Sequence, residues 1–102
     1  MTPQFGMFGK LTTAPEDRDT LIDILTEGSQ NMIDMAGCHT YIISKDTNDP
    51  GTVWVFELWD TKEAHDASLT RPAVRELISR AMPMLKGQPE GFTVVPVSGK
   101  GL

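Results

Sequence analysis

The segment TVWVFELW, residues 52–59, is apolar on both of its faces. Read as a β-strand, Val53, Val55, Glu57 and Trp59 point one way, and Trp54, Phe56 and Leu58 point the other. A strand with one face in water alternates apolar with polar residues, and this one does not. The fold must cover both rows or expose an apolar patch of the kind that marks an interface. A second run, CHTYIIS (38–44), is rich in β-branched and aromatic residues. KDTNDPG (45–51) between them is a strong turn signal, so the two runs form an antiparallel hairpin.

The remaining elements fall around this hairpin. QFGMFGKLT (4–12) is short, apolar and bounded by turn residues, which predicts a first strand. Thr13 with Glu16 has capping-box spacing, and Pro15, Asp17 and Asp19 suit a helix start. Leu21, Ile22, Leu25, Met32 and Ile33, with Gly28 and Ser29, form one stripe of a helix over about 15–35, stopped by Gly37. Asp60 and Glu63 give a second start signal. Pro72 breaks that helix, and Val74, Leu77, Ile78, Ala81 and Met82 continue the stripe before Pro83, Gly87 and Pro89. GFTVVPV (91–97) is the last strand, with Pro96 marking an edge or an end.

The order β-α-β-β-α-β predicts a ferredoxin-like α+β fold: an antiparallel four-stranded sheet with both helices on one face. One domain spans residues 1–102, with its core at about 5–97 and a loose tail at 98–102. Helices on one face leave the row of Trp54, Phe56 and Leu58 uncovered. That row is expected to pack against a second copy, making a homodimer. The alternative is that Trp54 lies under the chain's own C-terminal tail.

Composition narrows the function. The formal net charge is −5 and no Lys/Arg cluster occurs, which argues against nucleic acid as a partner. No signal peptide and no apolar run of about 20 residues is visible, so no membrane association is expected. Cys38 is the only cysteine, which leaves no internal disulfide and favours a cytoplasmic location. Gly-x-Gly-x-x-Gly, Walker, Cys-x-x-Cys and His-x-x-x-His motifs are all missing. Two distant histidines and one cysteine make a poor metal site, so neither cofactor nor metal is expected.

The stretch GCHTYIISKDTNDPGTVWVFELWDTKEAHDASL (37–69) resembles the antibiotic biosynthesis monooxygenase (ABM) domain family of the dimeric α+β barrel superfamily. Gly37-Cys38, the turn from Asp46 to Pro50, Glu57, Trp59 and Glu63-Ala64 carry the likeness, which extends over roughly 5–97. The resemblance implies a homodimer whose sheets close into a barrel, with a pocket between sheet and helices in each subunit. Some members oxygenate phenolic, anthrone or quinol substrates with O₂ and no metal or flavin. Others degrade haem, act on small signalling molecules, or have no established activity. Many relatives carry a histidine at the position aligned with Ser68, whereas here His65 sits one turn earlier. The haem-degrading branch needs Asn, Trp and His at positions aligned with Gly9, Ser68 and Ile78, and none matches.

The expected function is cofactor-independent oxygenation of an aromatic quinol or polyphenol by O₂. The alternatives are a non-catalytic small-molecule-binding or stress-related dimer, or an isomerase or degrading enzyme for a small oxygenated metabolite. His65 is the candidate base, because a neutral imidazole can take a proton from a phenol near neutral pH. Its alternative is a partly exposed histidine near a helix start, with no chemical role. Trp59 offers an aromatic wall to a flat ring, or plain core packing. Tyr41 offers a hydroxyl to a substrate oxygen, Ser68 shares the face of His65, and Met82 suits an adaptable apolar pocket. His39 and Cys38 are read as structural.

Overall fold

Strand β3 (Thr52–Trp59) lies inside the sheet because both of its rows are apolar. The computed structural model describes residues 2–102. In it β1 (Phe5–Thr12) and β2 (Cys38–Lys45) flank β3, both antiparallel to it. Strand β4 (Glu90–Val94) adds to the far side of β1, giving the order β2-β3-β1-β4. Helices α1 (Arg18–Met32), α2 (Lys62–Ser68) and α3 (Pro72–Ala81) complete the ferredoxin-like α+β fold. Short 3-10 turns at Pro15–Asp17 and Met82–Met84 lead into α1 and out of α3.

The hairpin between β2 and β3 is held by one carboxylate. Asp46 Oδ1 accepts from the backbone N–H of Asn48 and of Asp49, each at 2.8 Å. Its other oxygen accepts from the Trp54 indole at 2.8 Å. These bonds, the indole's first, hold the Asp46 carboxyl below its ordinary value. Gly51 has no substitute here, because a Cβ would lie 2.1 Å from the Thr13 carbonyl oxygen.

Several boundaries differ from the expectation for physical reasons. Thr13 caps no helix: it is buried, and its hydroxyl donates to the carbonyls of Ala14 and Gly51. Helix α1 ends at Met32, so Ile33 is 78% exposed, and the buried stripe is Leu21, Ile24, Gly28 and Met32. Thr61, not Asp60, caps α2 by accepting from the Ala64 N–H at 3.1 Å. Asp60 instead pairs with the His39 imidazole. Ile78 and Met82 are only partly covered, and β4 stops at Val94, before Pro96.

The helices cover the row of Val53, Val55, Glu57 and Trp59. Two apolar clusters form there. Phe5, Met32, Met35, Trp59 and Val74 pack at one end. Leu21, Ile24, Val53, Leu77 and Ala81 pack at the other. On the opposite face Ile42, Phe56, Phe8 and Phe92 lie in register across all four strands. Phe8 sits 4.6 Å from the Phe56 ring and 5.0 Å from the Phe92 ring. Leu58 is already buried within the chain, whereas Ile42 and Phe92 are more than half exposed. The tail from Pro96 to Leu102 runs along this face and borders, with Phe8, Ile42, Phe56 and Leu58, a groove of about 430 Å³. It does not cover Trp54, which is tied to Asp46.

Candidate functional site

Between the two clusters the packing is incomplete. A cavity of about 300 Å³ opens there, floored by Met7, Gly9, Tyr41, Val55 and Glu57 of the sheet. Its roof comes from Ile24, Gly28 and Met32 of α1 and from His65, Ser68, Val74 and Leu77 of the later helices. Small residues on both sides make the space. Gly9 has no atom but the Val55 carbonyl oxygen, at 3.9 Å, near the place its Cβ would take, and Gly28 lies against Leu77. The volume is at the low end for a small-molecule site and suits a ligand of one or two fused rings.

The polar groups gather at one point of this apolar space. Glu57 and Tyr41 are direct partners across β3 and β2, so their side chains stand side by side. His65 comes down from α2 and is only 8% exposed. Its Nε2 lies 4.0 Å from Glu57 Oε1. Its Nδ1 lies 3.0 Å from Asp66 Oδ1. Lys62, with the larger effect, and His65 hold the Asp66 carboxyl below its ordinary value, so Asp66 is ionised and can only accept. The Nδ1 of His65 must therefore carry the proton, and in the neutral ring Nε2 is left as a free lone pair.

Glu57 has the more unusual position. Burial raises its carboxyl pKa; a hydrogen bond from the Trp59 indole at 3.0 Å, and then the nearby His65, pull it partly back. Among the described residues its second oxygen, Oε2, accepts no hydrogen bond, and neither does the Tyr41 hydroxyl have a partner. No fully buried side-chain polar atom among the described residues lacks a partner, so both atoms keep accessible surface. Burial, and then Glu57, push the Tyr41 phenol well above its ordinary value, which keeps it a protonated donor. A lone pair on His65, a carboxyl on Glu57 and a phenol on Tyr41 thus border one cavity.

The expected site residues divide accordingly. His65, Ser68, Tyr41 and Met82 all border the cavity, Met82 as a half-exposed rim residue. Ser68 is buried, and its hydroxyl donates to the His65 carbonyl at 2.6 Å, which stiffens the last turn of α2. Trp59 does not reach the cavity: it is fully buried, 5.6 Å from the His65 ring in a T-shaped contact. It acts on the site by bonding Glu57. His65 is not the partly exposed residue of the alternative, since it also packs 5.3 Å from Phe5. Cys38 is half buried, and burial, then Glu57, raise its thiol pKa. Glu57 and Asp66 were not among the expected functional residues. The signal for Glu57 was a lone charge in the inward, otherwise apolar row of β3.

A four-stranded α+β sandwich with a ligand-sized cavity between sheet and helices defines the class. The chain belongs to the antibiotic biosynthesis monooxygenase family, whose profile matches residues 5–80. A solved structure of a proposed antibiotic biosynthesis monooxygenase from Chloroflexus aurantiacus is 38% identical, with a TM-score of 0.84 over 94% of this chain and 95% of that one. A proposed family member from Caulobacter crescentus has a TM-score of 0.87 at 15% identity, covering 95% and 92% of the two chains. One from Nitrosomonas europaea has 0.88 at 9%, covering 95% and 93%. The last two show the fold alone. No curated protein matches the chain. No helix among the described residues is long and apolar enough to cross a membrane.

Proposed function

We propose that the chain oxygenates a small aromatic quinol with O₂, without a cofactor, in the cavity between sheet and helices. The observation that carries this reading is the buried His65, whose Nδ1 is fixed by Asp66 and whose Nε2 is free beside Glu57. A quinol hydroxyl placed between Nε2 and Glu57 gives its proton to the imidazole. Ground-state O₂ is a triplet and reacts slowly with closed-shell molecules, but an electron-rich quinolate can pass it one electron directly. Recombination of the two radicals forms a carbon–oxygen bond, and the proton held on His65 returns to the peroxide. Loss of water leaves a hydroxyquinone: one oxygen atom stays on the ring, the other departs as water, and the quinol supplies all four electrons. The protein's part is deprotonation, desolvation and positioning. Among the described residues no three His, Cys, Asp or Glu side chains are grouped to hold a metal.

The working form in this proposal is a homodimer through the outer sheet face. The row Ile42, Phe56, Phe8 and Phe92 is apolar and only partly screened by the tail. Such a row favours a second copy over water.

Oxygen uptake with naphthohydroquinone tests the reading. The H65Q variant is expected to lose about 10²-fold in rate at neutral pH, the scale of a lost general base. The loss should shrink at high pH, where the quinol ionises unaided. Undiminished uptake in H65Q at neutral pH would remove His65 from the mechanism.

A further inference from the structure

We infer that Glu57 sorts ligands by charge, so that the cavity admits a neutral hydroxylated ring and refuses the same ring bearing a carboxylate. This rests on the cavity being the ligand site, and it concerns binding rather than turnover. The ionisable residues that border the cavity are Tyr41, Glu57, His65 and Glu90. No lysine or arginine is among the described lining residues, so nothing there offers a fixed positive charge to an anion. The one group that can become cationic, His65, already faces one carboxyl at Glu57 and is bonded to a second at Asp66. A ligand carboxylate would be a third negative group around a single imidazole, in a space too apolar to screen it. A neutral hydroxyl meets the reverse situation. It can donate to Oε2 of Glu57 or to Nε2 of His65, and accept from the Tyr41 phenol.

Replacing Glu57 by glutamine should weaken this preference, because Trp59 dictates how the amide sits. The Trp59 indole N–H, now 3.0 Å from Oε1, needs an acceptor. It will hold the amide oxygen and turn the amide NH₂ toward the place now held by Oε2. A charge that repels carboxylates becomes a donor that binds them, with no change of volume.

Binding of naphthohydroquinone and of the same ring carrying a carboxylate is measured without oxygen, by titration calorimetry at neutral pH. The native chain should bind the neutral ring about 10²-fold more tightly, the scale on which juxtaposed like charges discriminate. In E57Q that ratio should fall at least about tenfold. Equal binding of both rings by the native chain overturns the inference without any variant. An unchanged ratio in a folded E57Q overturns the role of Glu57. Binding of neither ring overturns the inference together with the ligand-site reading. Discrimination without oxygen uptake under air leaves the inference standing and removes the oxygenase reading alone.

Discussion

The Trp59 indole donates its N–H to Oε1 of Glu57, two residues back on the same strand, at 3.0 Å. Trp59 has no exposed surface, whereas Glu57 borders the cavity. Trp59 thereby bears on the site from within the core, through this bond to Glu57 and its T-shaped contact with His65. A W59F substitution removes the donor and leaves a gap in the cluster with Phe5, Met32 and Val74. The expected cost is about 3 kcal/mol, from a lost bond to a carboxylate and partial loss of packing. Urea unfolding measures it, and a cost below about 1 kcal/mol would mean that the bond contributes little.

The stability of the protein should depend on pH through Glu57. Burial, the largest effect on it, raises its pKa in the folded state above the ordinary 4.5. The folded state therefore holds this proton more tightly than the unfolded chain. Its contribution to stability is full below pH 4.5 and is lost as pH rises through the folded value. Asp46 and Asp66 have lowered values and act oppositely, losing their contributions as pH falls. Thermal melts of E57Q and the native chain should thus diverge in favour of E57Q as pH rises above 4.5. Parallel melting curves over that range would show that burial of Glu57 carries no such cost.

Asp66 should matter for rate more than for folding. Its carboxylate keeps the proton on Nδ1 of His65 and the lone pair on Nε2. In D66N the amide NH₂ can donate to Nδ1, which favours the wrong tautomer. Because Asp66 lies at the surface, where water can substitute, the expected fall in oxygen uptake is about tenfold, with a melting temperature close to native. A D66N variant as fast as the native chain would deny Asp66 an orienting role.

Gly9 provides a test by filling. Its missing side chain leaves space on the cavity floor, with no atom nearer than 3.9 Å to the place of a Cβ. A G9V substitution places a β-branched residue in a central strand, which should hold or raise stability by about 0.5–1 kcal/mol. Ligand binding should nonetheless be lost. A G9V protein that still binds naphthohydroquinone as the native chain does would place the ligand elsewhere.

The proposed dimer is open to a single charge. Phe56 stacks 4.6 Å from Phe8 in the middle of the outer apolar row. F56D would bury an unpaired carboxylate if that face is an interface, and should give monomer or aggregate in light scattering. A native chain that runs as a stable monomer would end the dimer proposal.

Much of this architecture is legible in the sequence because its strands announce themselves. The turn at Asp46 to Gly51 and the apolar runs beside it place β2 and β3 closely, and the element order then allows one sheet. The helix stripes are harder. Ile24 looks peripheral to a stripe through Leu21, Ile22 and Leu25, yet a period of 3.6 carries Leu21, Ile24 and Gly28 onto one face. Thr61 and Asp60 stand side by side as cap candidates; Thr61 takes the role by accepting from Ala64, while Asp60 pairs with His39. At the site, the sequence points to His65 but not to its neighbours. Whether Trp59 borders the cavity or fills the core depends on where α2 comes down. Spacing along the strand cannot say that.

The pairing of Phe5 with Trp59 brings together residues from the start and the middle of the chain. The cavity floor at Met7 and Gly9 and its roof at His65 and Ser68 therefore meet only after the whole intervening α1–β2–β3 segment is in place. Long-range closure of this kind comes at a cost in loop entropy and tends to fall late in folding. The lining runs from Met7 to Glu90, so neither half of the chain holds the site, and half-proteins and early folding species should be blind to ligand. Ligand binding at the proposed site would thus be a readout of finished assembly, and a bound molecule would draw on the free energy of the entire domain rather than that of a local module.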